Sequence, residues 1–101
     1  MQKYDIRYVP IAENDLNEIV DYLCEYSINA ANTFIDELEN LEERLSMFPK
    51  SSALVRDKRL QKKNYRVAII GDYLLFYTLR HESVVFVMRI IHSKRDYRNM
   101  L

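Results

Sequence analysis

The chain has 101 residues, of which 49% are hydrophobic and 30% charged, and its formal net charge is zero. From this length and composition we expect one globular domain spanning 1–101, large enough to bury a core without metal or disulfides. Its one cysteine, Cys24, excludes an internal disulfide and is expected in the core. No basic leader precedes an apolar run and no run reaches ~18 residues, so we expect a cytoplasmic protein without membrane contact. No His and Cys spacing predicts a metal or cofactor site.

The zero net charge conceals two oppositely charged halves. Residues 1–49 contain three basic and eleven acidic residues, a net charge of −8, whereas 50–101 contain twelve basic and four acidic residues, a net charge of +8. The basic half therefore favours an anionic partner, and the acidic half predicts a solvated helical surface.

The acidic half predicts one strand and two helices. Lys3–Val9 alternates polar and apolar residues, which indicates a strand that Pro10 ends. An amphipathic helix follows over Ile11–Tyr26. Ser27 or Asn29 can cap a second helix, whose apolar stripe is Phe34, Leu38, Leu41, Leu45 and Phe48. Two heptads are short for a coiled coil, so we expect a helical hairpin packed within the domain.

The basic half predicts an antiparallel sheet. Lys50–Asn64 has no clear period and is expected to be a basic loop anchored by Leu54, Val55 and Leu60. Tyr65–Ile70 and Tyr73–Leu79 flank Gly71-Asp72, a hairpin turn that uses the only glycine of the chain. A second turn at residues 80–83 leads into Val84–Ile91, apolar on both faces and therefore a central strand, and then into a short tail or helix. The fold class is α+β, with β-α-α-β-β-β order and two layers.

Two arginines interrupt the apolar strands. The turns place Arg66 opposite Tyr77 and Tyr77 opposite Phe86, with His92 on the same face and Arg89 on the other. An unpaired buried charge is costly, so Arg66 and Arg89 should each reach a carboxylate, solvent or a ligand. We expect the C-terminal arginines, including Arg66 and Arg95, to share one accessible cleft.

Three kinds of activity fit these residues. Metal-free RNA cleavage needs an acid/base, for which His92 is the candidate, and cations on the phosphate, for which Arg66 and Arg95 are candidates. His92 could equally be a structural histidine, and His81 lies in a polar turn. Alternatively, cations and tyrosines of the basic half could contact nucleic acid, or this half could bind an acidic, partly apolar peptide. The candidate target-binding or partner-binding residues are Arg66, Tyr77, Arg89, His92, Lys94, Arg95, Tyr97 and Arg98.

The order of elements and of several short motifs resembles the RelE/ParE superfamily of bacterial toxins. The motifs that carry the resemblance are Tyr8-Val9-Pro10, Ala12, Asp15-Leu16, Ile19, Tyr22-Leu23, Ala31, Phe34, Leu45, Phe48-Pro49, Tyr65-Arg66-Val67, Tyr73–Tyr77, Arg89–His92 and Arg95-Asp96. The resemblance implies a growth-inhibiting toxin of a type II toxin-antitoxin module, of the kind involved in plasmid stabilisation. A cognate antitoxin would hold it inactive in a hetero-oligomer.

Two activities are known in that superfamily. RelE-like members cleave messenger RNA in the ribosome with a set of two lysines, two arginines and a tyrosine, whereas ParE-like members poison DNA gyrase. Arg66 and Arg95 match two positions of the RelE set, but Ala68, Leu74 and Leu101 stand where the other three are expected. The resemblance therefore favours a ParE-like gyrase inhibitor without its own catalysis. The alternatives are a ribosome-dependent endoribonuclease that uses His92, and an interaction domain outside the toxins.

Overall fold

The computed structural model describes residues 3–101, so residues 1 and 2 of the predicted 1–101 domain lie outside the described part. The elements, in chain order, are β1 (Asp5–Tyr8), α1 (Pro10–Tyr26), α2 (Ile28–Met47), β2 (Ala53–Leu54), α3 (Lys58–Lys62), β3 (Arg66–Ile70), β4 (Tyr73–Arg80), β5 (Val84–His92) and a 3₁₀ turn (Tyr97–Asn99). The predicted α+β class and the β-α-α-β-β-β order of the main elements are confirmed.

The sheet has five strands in the order β1-β5-β4-β3-β2. Strands β3, β4 and β5 are antiparallel as predicted, but the sheet is mixed, because β1 pairs in parallel with β5 over Asp5–Tyr8. The helical hairpin carries the chain from β1 at one edge of the sheet to β2 at the opposite edge. The later strands then lead back across the sheet, so that β5 lies beside β1 and runs parallel to it. The prediction that β5 is central is confirmed, since it lies between β1 and β4.

The helical hairpin packs one face on the sheet. Ser27 caps α2, because its hydroxyl accepts a hydrogen bond from the Ala30 backbone N–H at 3.3 Å. Four members of the predicted stripe are buried: Phe34, Leu38, Leu41 and Leu45. Phe48 is half exposed because it follows α2 as its C-cap. Cys24 is exposed on α1, so its predicted place in the core is wrong.

A side-chain hydrogen bond joins strand β1 to helix α2. The Tyr8 hydroxyl donates to Oε2 of Glu42 at 2.9 Å. Burial, with the neighbouring Glu42 carboxylate, raises the pKa of Tyr8 and keeps this hydroxyl protonated as the donor. The first strand is thereby fixed to the helical layer by a polar contact as well as by packing.

The core has two parts, one on each face of the sheet. The larger lies between the helices and the sheet and includes Leu45, Leu75, Tyr77 and Val87. The smaller covers the outer face, where Val55, Leu60, Phe76 and Ile91 are buried against the end of the chain. The predicted anchors Val55 and Leu60 are confirmed, whereas Leu54 remains 40% exposed.

The segment predicted as a basic loop contains two short elements. β2 extends the sheet by pairing with Arg66 and Val67 of β3. Asp57 then caps α3 by accepting from the Leu60 N–H at 3.2 Å. These elements span only two and five residues, which is too short for a periodic pattern to reveal them.

A β-bulge changes the predicted register of one strand pair. Arg66 pairs with Tyr77 as predicted. Tyr77, however, pairs with Val87 rather than Phe86, because the β4–β5 ladder shifts between Phe76 and Tyr77. The shift places two residues of one strand against one of the other, which the sequence pattern does not show.

The second hairpin turn is strained. His81 and Glu82 both have φ of 55°, and the Ser83 N–H closes the turn on the Arg80 carbonyl at 3.1 Å. Positive φ at both central positions is the arrangement for which Asn-Gly is preferred. A residue with a Cβ atom in this conformation costs roughly 1–2 kcal/mol. The strain lies at one end of the sheet, beside the start of β3.

Candidate functional site

Four of the predicted site residues line two separate cavities. Arg89, His92 and Arg95 line a cavity of ≈ 150 Å³ beside α1. Arg66 lines a different cavity of ≈ 440 Å³ beside the strained turn. Arg66 pairs with Tyr77 and His92 pairs with Tyr73, and these two positions are four residues apart on β4, about 13 Å along the strand. The expectation that Arg66 and Arg95 share one cleft is therefore wrong.

Arg89 is neutralised inside the protein by Asp15 of α1. Its Nε donates to Oδ2 at 2.7 Å and its Nη2 to Oδ1 at 3.0 Å, a two-pronged contact between largely buried side chains. The hydrogen bond to Asp15 raises the pKa of Arg89, although burial opposes it. Of the alternatives predicted for this arginine, the structure shows the carboxylate.

Asp15 also completes the sheet. β1 covers β5 only as far as Val87, and beyond that point the Ile90 N–H donates to Oδ2 of Asp15 at 3.1 Å. The carboxylate thus replaces a strand on the open edge of β5. Asp15 was not among the predicted site residues because it resembles the other acidic positions of the helix.

His92 stands at the surface end of a row of aromatic rings. Its ring meets Tyr73 edge-on at a centroid distance of 5.2 Å, and Tyr73 meets Phe34 at 5.5 Å. Its Nδ1 accepts from the Lys94 N–H at 3.2 Å. The ring is therefore held in place by stacking and by a backbone contact, which leaves Nε2 as the remaining polar atom.

Arg66 is anchored by the loop after α2. Its Nη1 donates to the Ser52 carbonyl at 2.7 Å, and the Ser52 hydroxyl accepts from Arg44 at 3.1 Å. Beneath it, the completely buried Tyr77 donates its hydroxyl to the Pro49 carbonyl at 2.7 Å. Tyr77 therefore belongs to the core and has no surface with which to touch a partner.

The end of the chain is fastened to the outer face of the sheet. Tyr97 stacks on Phe76 at a centroid distance of 5.0 Å. Arg59 of α3 donates to the carbonyls of Arg98 and Leu101 at 2.7 and 3.1 Å. Among the predicted contact residues, those left exposed at this end are Lys94, Arg95 and Arg98, although Arg98 also contacts Asp96. They form a cationic rim beside His92.

An apolar groove of ≈ 550 Å³ lies along the β2–β3 side of the sheet. Arg44 and Arg56 are the charged residues that line it, and Ile69, 75% exposed, stands on its wall. β2 covers only Arg66 and Val67, so Ala68–Ile70 has no strand partner on that side within residues 3–101. The basic residues of this region were visible in the sequence, but the exposure of Ile69 and the groove itself were not predicted, because both depend on β2 being too short to cover β3.

Comparison with known proteins places these features in a family. The family model described as "ParE toxin of type II toxin-antitoxin system, parDE" matches residues 6–97. The chain belongs to the ParE toxin family. It is 28% identical over 90 residues to Toxin ParE1 of Mycobacterium tuberculosis, in strains H37Rv and CDC 1551, covering 86% of this chain and 87% of the relative. It also superposes on a chain of the chromosomal ParDE system from P. aeruginosa with a TM-score of 0.69 and 13% identity, covering 91% and 98% of the two chains.

The ParE assignment agrees with the packing of three apolar residues, Ala68, Leu74 and Leu101. Ala68 is buried in the main core, and Leu74 and Leu101 pack into the outer cluster. At these positions RelE-like enzymes are expected to carry cations and a tyrosine. In this ParE-family chain they are part of the packing.

Within residues 3–101, no group of three or more His, Cys, Asp or Glu side chains is arranged to hold a metal ion. In the same range, no helix has the length and hydropathy needed to cross a bilayer.

Proposed function

We propose that this ParE-family toxin inhibits DNA gyrase by binding it and is neutralised by a cognate antitoxin. The observation that carries the proposal is the family match over residues 6–97, together with apolar packing at Ala68, Leu74 and Leu101. An endoribonuclease that combined Arg66 with His92 and Arg95 would need these side chains on one phosphate. Their places in separate cavities favour a binding mechanism instead.

The proposed target-binding surface is the cationic rim beside His92. Lys94 and Arg95 are exposed, and Arg95 lines the same cavity as Tyr22, which is 60% exposed on α1. Exposed cations next to an exposed aromatic ring suit an acidic protein surface with an apolar centre. Arg89 takes part only indirectly, since Asp15 holds its guanidinium.

Purified gyrase provides the direct test. The protein should inhibit plasmid supercoiling and trap cleaved gyrase–DNA complexes, while messenger RNA stays intact when the toxin is expressed. The double variant Lys94→Glu, Arg95→Glu should raise the concentration for half inhibition at least about tenfold, because two attractive contacts become repulsive. Lys58→Glu, Lys62→Glu is the matched control, with the same charge change on α3. Codon-phased cleavage of messages with unaffected gyrase would contradict the proposal.

The proposed antitoxin site is the apolar groove. Its open β3 edge offers unpaired backbone groups, and its rim carries Arg44 and Arg56. An extended segment that is apolar on one face and acidic at the rim could add a strand there. This chemistry is that of the acidic, partly apolar peptide predicted for the basic half of the sequence.

Ile69→Asp tests this antitoxin site. It removes an apolar contact and repels an acidic segment, so antitoxin affinity should fall about 100-fold, with little change in stability because the side chain is exposed. Ile28→Asp at the tip of the helical hairpin is the control, since Ile28 is exposed to a similar degree, 70%. Calorimetric titration with the cognate antitoxin measures both. Equal losses of affinity in the two variants would mean that the antitoxin does not bind at the apolar groove.

A further inference from the structure

The cavity beside the strained turn collects every left-handed non-glycine residue of the described chain. Asn64, His81 and Glu82 have φ values of 61°, 55° and 55°, and all three line the same ≈ 440 Å³ space. Asparagine is common in this conformation, but His81 and Glu82 stand where a hairpin would prefer Asn-Gly. Backbone strain of this kind concentrates at ligand-binding positions. Here it keeps two polar side chains on the wall of a cavity.

The lining has the chemistry of an anion site with an apolar wall. Lys50 and Arg66 supply positive charge, and Asn64 and His81 supply further hydrogen-bond donors. Tyr4, Leu54 and Leu79 supply the apolar part. Glu82 is the one carboxylate among the lining residues, so two permanent cations face one anion.

Arg66 has one side of its guanidinium anchored and the other side free. Its Nη1 donates to the Ser52 carbonyl at 2.7 Å. Its remaining donors make no hydrogen bond to protein within residues 3–101, and the side chain is only half buried. A planar guanidinium with free donors matches the paired oxygens of a phosphate.

We propose that this cavity binds the 5′-phosphate of a nucleotide, with the nucleoside against Tyr4 and Leu79. The volume lies within the range of small-molecule sites and suits one nucleotide unit. Four separate chain segments border the space: Tyr4 before β1, Lys50 and Leu54 after α2, Asn64 and Arg66 at the start of β3, and Leu79, His81 and Glu82 around the β4–β5 turn. Short segments that converge on one half-open space favour a compact ligand over an extended acidic peptide. The nucleotide comes either free or from the end of a strand.

The site is distinct from both surfaces of the proposed function. It shares no lining residue with the His92 cavity and only Leu54 with the apolar groove. Its test therefore succeeds or fails independently of gyrase inhibition and of antitoxin binding.

Titration of the full chain with adenosine 5′-monophosphate, followed by amide NMR shifts, tests the site. Saturable shifts should centre on Asn64, His81 and Glu82, and adenosine without its phosphate should bind about tenfold more weakly. A dinucleotide with a 5′-phosphate identifies the source: binding as tight as the mononucleotide indicates a strand end, and weaker binding indicates a free nucleotide. Both results support a nucleotide phosphate site.

Two variants should change nucleotide affinity in opposite directions. Lys50→Ala should weaken nucleotide binding about tenfold, because it removes one charge-assisted hydrogen bond, whereas Glu82→Gln should strengthen binding by removing the only lining carboxylate. Lys58→Ala on α3 is the control and should change nothing. Equal binding of adenosine and its monophosphate, equal effects of Lys50→Ala and Lys58→Ala, or an acidic peptide shifting these amides where the nucleotide does not, would overturn the proposal.

Discussion

Replacing Asp15 with alanine should lower the free energy of unfolding by about 3–5 kcal/mol, because the largely buried Arg89 charge loses its carboxylate and keeps only the Met100 carbonyl. The carboxylate accepts from Arg89 through both of its oxygens and from the Ile90 N–H. Alanine therefore leaves three donors unpaired, on two strand residues at the open edge of β5.

Urea denaturation of Asp15→Ala beside Glu18→Ala measures this effect. Glu18 lines the same cavity one turn further along α1, but it is exposed and makes no ion pair within residues 3–101. Its removal should change stability by less than about 0.5 kcal/mol. Adding Arg89→Met to Asp15→Ala should restore part of the loss, since removing both charges leaves no uncompensated ion. Equal stabilities for the two single variants would mean that solvent, rather than Asp15, balances Arg89.

Much of the fold could be predicted because its patterns are long and local. Helix α2 follows an apolar stripe over four turns, and the only glycine marks the first hairpin. The parallel pairing of β1 with β5 was not predicted, because residues about 80 apart in sequence leave no periodic signal of their contact. Cys24 was misplaced for a different reason: small and apolar character predicted burial, but the buried positions of α1 lie earlier in the helix, at Ala12, Asp15 and Ile19.

The candidate site was less predictable because it depends on register and on single contacts. The β4–β5 bulge cannot be read from alternation, since one extra residue reverses the faces of everything beyond it. Asp15 is one of ten acidic residues on the two helices, and its sequence context does not set it apart. It meets Arg89 because β1 ends opposite Val87 and leaves the next part of the β5 edge open to the Asp15 carboxylate. The sequence did show that Arg66 and Arg89 each need a partner. It did not show that the two partners lie on opposite parts of the sheet.

Two substitutions of Tyr77 should lower the free energy of unfolding by different amounts. Tyr77→Ala should cost about 3–5 kcal/mol, because it leaves a large cavity beneath the helices. Tyr77→Phe keeps the ring and removes only the hydroxyl that donates to Pro49, so it should cost about 1–2 kcal/mol. Burial raises the pKa of Tyr77, against smaller opposing effects of Ser52, Arg66 and Arg44, so the hydroxyl is a protonated donor at neutral pH.

The Tyr77→Phe variant tests whether the hydrogen bond from Tyr77 to Pro49 holds the loop beside Arg66 in place. Pro49 and Ser52 flank Lys50, so a loop released from Tyr77 should also loosen the contact between Arg66 and the Ser52 carbonyl. Hydrogen exchange over 50–54 should therefore accelerate in Tyr77→Phe while exchange in α1 stays slow. Tyr26→Phe is the matched control, since Tyr26 is 81% exposed and its hydroxyl makes no hydrogen bond within residues 3–101. Unchanged exchange in Tyr77→Phe would mean that Arg44 and Arg66 position the loop without help from the core.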